Sequence, residues 1–205
     1  MYDISYFKEK EKAEIIAFMK ENSFAIITGM GENFPVATQI PLEVEEKDGK
    51  LFLHGHIMKK TDHHLAFEKN NNVLVLFTGP HCYVSASWYN NPQTASTWNY
   101  MTVHAKGKII FTDDDGTYEA VKSITNKYEG SATKAAFNNM PKEYVLPLIK
   151  AIVGFSIEIQ KLENVFKLSQ NKKQDEQLNI ITQLRARNSN YDDLQIADEI
   201  EKRLS

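Results

Sequence analysis

The chain has 205 residues, of which 42% are hydrophobic, 25% charged and 11% aromatic, and its formal net charge is −3. This composition is typical of a globular protein, and the length suits one domain with an appendage or one large β-rich domain. The charge balance excludes a strong overall attraction to polyanions. Nucleic-acid binding would need a local basic patch, and the sequence has no basic run longer than Lys59–Lys60 or Lys172–Lys173.

The single cysteine, Cys82, excludes an internal disulfide and fits a reducing compartment. The first residues contain no apolar leader, and no run of 18 apolar residues occurs. We therefore expect a soluble, cytoplasmic protein with no membrane partner.

Hydrophobic periodicity predicts helices and short strands in the first half of the chain. In chain order these are a helix at 8–22, strands at 23–30, 35–46 and 51–56, a helix at 62–70, and strands at 73–78 and 82–87. Pro41 suggests that the second strand lies at a sheet edge or carries a bulge. Asp48-Gly49 is a hairpin signal, and Gly79-Pro80 indicates a turn.

The stretch from Trp88 to Thr97 is polar and too long for a tight turn, so we predict a loop of functional weight. The elements that follow are a strand at 98–112, helices at 117–129 and 141–152, a strand at 153–168, and helices at 174–187 and 192–204. Asp113–Gly116 is expected to end the long strand, and Pro147 to kink or shorten its helix. Together these elements predict an α+β protein that is mainly β, an antiparallel β-barrel with peripheral helices.

The turn after the strand at 51–56 carries Lys59, Lys60 and Thr61 just before a predicted helix start. A helix start offers free backbone N–H groups, and the lysines add positive charge, so this turn can bind a phosphate group. Two alternatives stay open, because paired lysines commonly form a solvated surface and Thr61 would also serve as a helix N-cap. Asp62 would repel an anion if its carboxylate pointed inward.

Four of the six histidines lie close together, namely His54, His56, His63 and His64. His54 and His56 are two residues apart on a strand and therefore share a face, which a zinc site could use. No cysteine or carboxylate stands at a recognisable metal spacing nearby, so we predict no metal. The alternative is a polar sheet face with hydrogen-bonded imidazoles. His56 stands at the strand end that meets the basic turn and is predicted to face a ligand.

Aromatic residues flank the predicted loop: Trp88, Tyr89, Trp98 and Tyr100. Such residues commonly cover a core, but a flavin ring also needs an apolar wall and polar groups at its pyrimidine edge. Thr97 and Asn99 would supply polar contacts there. Motifs of serine hydrolases, of dinucleotide-binding folds and of nucleotide triphosphate loops are absent from the sequence. Sheet, phosphate turn and aromatic residues together favour a planar, phosphorylated ligand such as flavin mononucleotide (FMN).

Four stretches of the chain resemble the PaiB-type negative transcriptional regulators: HGHIMKKTDHHL, LVLFTGPHCYVSASWY, TASTWNYMTVHAKG and KLSQNKKQDEQLNIITQLRAR. That family belongs to the FMN-binding split-barrel superfamily, which also includes the pyridoxamine phosphate oxidases. The resemblance implies a six-stranded split barrel, a homodimer, and FMN at the dimer interface. It implies an FMN-binding split-barrel domain at 1–170 and a C-terminal helical appendage at 171–205.

Within the superfamily, the segment that matches His54 through Thr61 holds the FMN phosphate and ribityl chain. The resemblance also implies that the strand with Thr38, Gln39, Ile40 and Pro41 lies along the edge of the flavin ring. The oxidases carry an arginine-lysine pair at the phosphate turn, where this chain has Lys59 and Lys60. Lysine has no bidentate fork, so weaker FMN binding is expected than in the oxidases.

Two functions follow from the resemblance. The first is a flavin-binding repressor, although the tail helices at 174–204 mix basic with many acidic residues and show no helix-turn-helix signature. DNA as a partner therefore rests on the family alone. The second is an FMN-dependent flavin reductase or oxidase acting on a small molecule. His56 and His81 are the candidates for acid–base chemistry, and no residue is assigned a catalytic role.

Overall fold

The computed structural model describes residues 1–91, 93–130 and 133–204, so Pro92 of the predicted loop and Ser205 of the predicted appendage lie outside the described residues. The strands are β1 (Phe24–Met30), β2 (Pro35–Pro41), β3 (Glu43–Lys47), β4 (Lys50–Met58), β5 (Asn72–Val84), β6 (Thr97–Phe111) and β7 (Ile152–Lys167). The α-helices are α1 (Lys12–Glu21), α2 (Asp62–Lys69), α3 (Asp114–Glu129), α4 (Lys142–Lys150), α5 (Gln174–Arg187) and α6 (Tyr191–Lys202). No helix in these ranges combines the length and the apolar character needed to cross a bilayer.

The strands form one seven-stranded sheet in the order β2-β1-β5-β6-β7-β4-β3, with antiparallel pairing of β1 with β2 and β5, and of β4 with β3 and β7. Strands β2 and β3 stand at opposite ends of this order, yet only Leu42 separates them in the chain. The sheet must therefore curl until its two ends meet, as in a barrel. A Cβ on Gly55 of β4 would lie 2.9 Å from the Leu42 side chain and 3.4 Å from the Pro41 carbonyl oxygen.

The sheet has seven strands where the resemblance implied six, and two predicted boundaries are wrong. The predicted strand 35–46 is two strands, because at Leu42 the chain leaves β2, donates its N–H to the Ser23 carbonyl at 2.8 Å and buries its side chain completely. The predicted turn at Gly79-Pro80 lies inside β5. Its ladder with β1 ends at Leu76, so the missing N–H of the proline interrupts no hydrogen bond of that ladder.

The other predicted elements are confirmed with small shifts at their ends. Asp48 and Gly49 adopt φ values of 51° and 75°, as the hairpin signal predicts. Asp113 does not simply end a strand. Its carboxylate accepts from the Gly116 N–H at 2.9 Å and caps α3, so the helix begins at Asp114, three residues before the predicted start.

The chain divides into two compact units, and the predicted boundary at 170 stays a prediction. The first unit comprises residues 1–18, 78–103 and 163–205, and the second comprises 19–77 and 104–162. In the second unit, alternation along β4 buries Leu51, Leu53 and Ile57 on one face and leaves His54 and His56 on the other. In the first unit, α5 packs against α6 and buries Leu184 and Ile196.

Gly107 on β6 marks a close approach of two backbones in the second unit. A Cβ at this position would lie 2.4 Å from the Glu158 carbonyl oxygen and 2.8 Å from Cγ2 of Ile157. We expect Gly107→Ala to destabilise the protein by about 2–3 kcal/mol, since the backbone must shift to admit the methyl group. Urea unfolding against Lys108→Ala, an exposed neighbour on the same strand, checks this. Equal stability of the two variants would contradict the close approach.

Candidate functional site

The turn between β4 and α2 is held in an uncommon conformation. Lys60 has a φ of 64°, in the left-handed region that non-glycine residues rarely adopt. The preceding Lys59 donates its N–H to the Ala151 carbonyl oxygen at 2.9 Å, which fixes the turn to the end of α4. A strained residue of this kind persists only where its surroundings hold it, and such residues cluster at ligand-binding positions.

Thr61 is the N-cap of α2, which was one of the alternatives for this residue. Its Oγ1 accepts from the His64 N–H at 3.3 Å and donates to the Met58 carbonyl oxygen at 3.0 Å. The hydroxyl is therefore engaged within the protein. The backbone amide of Thr61 makes no hydrogen bond within the described residues and remains available to an anion, whereas the Asp62 N–H donates to its own carboxylate.

The charges around the turn are paired unequally. Lys59 Nζ lies 3.5 Å from Oδ1 of Asp114 in the first turn of α3, whereas Lys60 forms no ion pair within the part of the chain that the structure describes. Asp62 folds back along its own helix, where Oδ1 accepts from the His63 N–H at 2.7 Å. This hydrogen bond, followed by the one from the His63 ring, lowers the pKa of the Asp62 carboxyl, so the group stays ionised.

These groups fit a phosphate monoester. The turn carries two lysines and the unengaged Thr61 amide at one helix start, and the carboxylate of Asp62 is directed to His63. The Asp114 carboxylate is the residue that the sequence analysis missed. The run Asp113–Gly116 predicts the end of a strand. Read as a helix N-cap, Asp113 would instead place Asp114 in the first turn of a helix.

Strand β2 carries the residues predicted to line the flavin ring. Thr38, Ile40 and Pro41 are half-buried and Gln39 is exposed. Because β2 ends the sheet order, one edge of its backbone has no hydrogen-bonded strand beside it among the described residues, although its Pro41 end lies close to Gly55 of β4. The edge groups before Pro41 can meet the polar edge of a planar ligand. Helix α2 packs against β1 and β2, so the structure brings this strand and the phosphate turn to the same helix.

The two histidines on β4 have different surroundings. His54 Nε2 lies 2.8 Å from Oε2 of Glu45 on β3, which matches the alternative of a hydrogen-bonded sheet face. His56 is half-buried and makes no hydrogen bond within the described residues, and burial lowers the pKa of its imidazole. It is therefore a neutral ring at pH 7, able both to donate and to accept. Within residues 1–91, 93–130 and 133–204, no group of three potential metal ligands occurs.

The remaining predicted residues lie in the first unit. Trp98 is exposed and packs near His81 and Tyr83, at centroid distances of 6.1 and 6.0 Å. The buried amide of Asn99 donates to Ser169 Oγ at 2.9 Å, so this side chain is engaged in packing.

Two further residues of that set have partners of their own. The Thr97 hydroxyl accepts from the Lys167 ammonium. Trp88 lies under the Arg187 guanidinium, with 5.1 Å between the guanidinium carbon and the ring. The Trp88 contact supplies an aromatic surface in the first unit.

Comparison with known proteins gives a match to one protein family and to a full-length relative. The sequence profile of the family described as "Putative FMN-binding domain" matches residues 1–161. "Protease synthase and sporulation protein PAI 2" from Bacillus subtilis (strain 168) is 33% identical over 205 residues, which cover 100% of this chain and 98% of that protein.

Solved structures with lower identity share the fold. The conserved hypothetical protein Rv2991 from Mycobacterium tuberculosis aligns with a TM-score of 0.59 at 15% identity, covering 83% of this chain and 92% of its own. The FAD and heme binding protein from Mycobacterium smegmatis aligns with a TM-score of 0.60 at 13% identity, covering 83% of this chain and 78% of its own. These alignments confirm the predicted split-barrel fold.

Proposed function

Because this chain belongs to the FMN-binding domain family, we propose that it holds the FMN phosphate at the turn of Lys59, Lys60 and Thr61 and acts as a flavin-dependent regulatory protein. The observation that carries the proposal is the left-handed Lys60, whose ammonium has no ion pair in the described residues and which directly precedes the unengaged amide of Thr61. When bound, FMN supplies redox chemistry that no side chain of the protein offers.

Different protein groups bind different parts of FMN. Lys59 and Lys60 supply charge to the phosphate, and the amide of Thr61 supplies a hydrogen bond. Neutral His56 on β4, three residues before Lys59, can donate to a ribityl or ring oxygen. The backbone edge of β2 before Pro41 serves the polar edge of the flavin ring.

The regulatory role is supported by the relative whose name refers to protease synthesis and sporulation and which aligns over its whole length. Direct reading of DNA by the tail helices is not part of the proposal. Each basic side chain of α5 and α6, and Arg203 just after them, is already in an ion pair: Arg185 with Glu201 and Asp198, Arg187 with Asp193, Lys202 with Glu14, and Arg203 with Glu199 and Glu9. No cation of these helices is therefore free for a DNA phosphate.

A homodimer in the cytoplasm completes the proposal. Phe34 and Met30 at the β1–β2 hairpin are 80% and 60% exposed, and Leu65 of α2 lies half-exposed in the same unit. Met30 and Leu65 line one groove, and exposed apolar residues that lie together are usual at an interface between subunits. The free, buried Cys82 supports a reducing compartment.

The phosphate turn predicts a preference between two flavins. We expect FMN to bind at least about tenfold more tightly than riboflavin, which has the same ring and ribityl chain but no phosphate. Quenching of flavin fluorescence on titration with the protein measures both affinities. Equal affinities would remove the turn from the site and leave FMN binding without its proposed anchor.

The regulatory role is separated from an enzymatic one by two assays on the FMN-loaded protein. Oxidation of NADH with multiple turnovers would favour the alternative, an FMN-dependent oxidoreductase. Fluorescence anisotropy with DNA from upstream of its own coding sequence, compared with mixed-sequence DNA, tests direct binding. We expect no discrimination between the two DNAs, because specific binding requires base contacts and free cations that the tail helices lack.

A further inference from the structure

The first unit contains a cavity of about 340 Å³, and none of its lining residues is assigned to the phosphate. It is formed by the N-terminal residues, the loop before β6 and the segment after β7, and its polar lining includes Tyr89, Thr97, Lys167 and Lys172. Tyr2, Tyr6 and Phe7 supply aromatic walls. Among the described residues that line the cavity none is acidic, so its two ammonium groups leave it positively charged. The volume is in the range of small-molecule sites.

The segment after β7 is built into a fixed shape around this cavity. Ser169 is 3% exposed and has a φ of 62°, a second left-handed non-glycine residue. Its carbonyl oxygen accepts from the Gln177 side chain at 3.0 Å and from the Lys172 N–H at 2.9 Å. These bonds, with the one from Asn99 to the Ser169 hydroxyl, set the positions of Lys167 and Lys172 on either side of the turn.

Tyr89 lines the cavity, and its hydroxyl is a hydrogen-bonding group left unmet by the described residues. The residue is 6% exposed, and its hydroxyl is the buried side-chain polar atom that finds no partner within residues 1–91, 93–130 and 133–204. Burial raises the pKa of this phenol, so it keeps its proton and acts as a donor. A buried O–H without an acceptor is uncommon in folded proteins and calls for an acceptor supplied from outside the chain.

Both lysines reach the cavity without a carboxylate partner in the described residues. Lys172 Nζ lies 3.7 Å above the centre of the Tyr89 ring. Lys167 Nζ donates to the Thr97 hydroxyl and lies 5.8 Å from the Phe7 ring. Burial lowers the pKa of the Lys167 ammonium, since water no longer solvates it fully. A ligand anion between these groups would restore that lost solvation.

We propose that this cavity binds a small planar organic anion, with a carboxylate or phosphate group against Lys167, Lys172 and the Tyr89 hydroxyl and a flat body among the aromatic side chains. The inference goes beyond the proposed FMN site, whose phosphate turn lies in the second unit. It also gives a role to the Lys167–Lys172 segment, which the FMN site does not use.

Calorimetric titration of the FMN-saturated protein tests this with three probes of similar size: benzoate, phenyl phosphate and benzyl alcohol. We expect one site for at least one of the two anions, with neutral benzyl alcohol at least about tenfold weaker, because the alcohol forms no charge-assisted hydrogen bond with the lysines. The tighter of the two anions identifies the headgroup. Binding of neither anion, or equal binding of benzyl alcohol, would overturn the proposal.

Substitutions then locate the site. Lys172→Met should weaken anion binding by about tenfold and Tyr89→Phe by several-fold, whereas Lys173→Met, an exposed neighbour with the same charge change, should leave it unchanged. The FMN affinity should stay the same in all three variants. Unchanged anion binding by Lys172→Met, or displacement of FMN by benzoate, would show that the cavity is not a separate anion site.

Discussion

Replacing both Lys59 and Lys60 with methionine is expected to weaken FMN binding by at least about tenfold, while the affinity for riboflavin stays within about twofold. The two ammonium groups act on the phosphate alone, so their loss should remove the preference for FMN rather than all flavin binding. Methionine keeps the length and apolar stem of lysine. Fluorescence titration with both flavins gives the two affinities from the same preparation.

Removing the carboxylate of Asp114 should have the opposite effect and strengthen FMN binding. The Asp114 carboxylate competes with the phosphate for Lys59, from which it is separated by 3.5 Å. We expect Asp114→Asn to tighten FMN binding by about two- to fivefold, at little cost in stability because the pair is exposed. Lys69→Met at the other end of α2 is the control for loss of a charge and should leave both flavin affinities unchanged. If the double lysine variant keeps its preference for FMN, the phosphate lies elsewhere.

The parts of this site that depend on neighbours in the chain could be predicted from the sequence. The alternation of β4 places His54 and His56 on one face, and the order of Lys59, Lys60 and Thr61 before an apolar helix indicates a basic turn at a helix start. The Thr61 cap follows from the same local pattern. These features need only backbone periodicity and capping chemistry, both of which are readable within a few residues.

Features that depend on distant residues could not be predicted. Asp114 is far from Lys59 in the chain, and its distance to that lysine is set by how α3 packs on β4. The break at Leu42 depends on the Ser23 carbonyl of another segment, and the positive φ of Lys60 and Ser169 depends on the contacts around each turn. Propensity is a weak guide wherever such contacts decide the backbone conformation.

A second large effect is expected in the first unit, where Asp193 is completely buried at the start of α6. Arg187 binds both oxygens of this carboxylate, with 2.9 Å between Nε and Oδ2, and the Ser189 hydroxyl donates to Oδ2 at 2.8 Å. Removing the arginine leaves a buried charge without its cation. We therefore expect Arg187→Met to destabilise the protein by about 3–5 kcal/mol at pH 7.

The control is Arg185→Met, two residues earlier on the same helix. Arg185 binds Glu201 and Asp198, but its side chain is 42% exposed, so the loss should be below about 1 kcal/mol. Urea unfolding of both variants at pH 7 compares the two ion pairs directly. Equal stability of the two variants would mean that the Arg187–Asp193 pair is solvated rather than buried.

The dependence of the unfolding free energy on pH distinguishes a charge effect of Arg187→Met from a packing effect. The hydrogen bond from Arg187, the largest contribution, lowers the pKa of Asp193 in the folded protein below its unfolded value of about 3.9. The native pair therefore stabilises the fold above that value, and the stabilisation is lost as the pH falls through the folded pKa. In Arg187→Met the buried, unpaired carboxyl should instead have a raised pKa, so this variant should regain stability relative to the parent between pH 7 and pH 4. A difference in unfolding free energy that stays constant over this range would assign the loss to packing and contradict the electrostatic account.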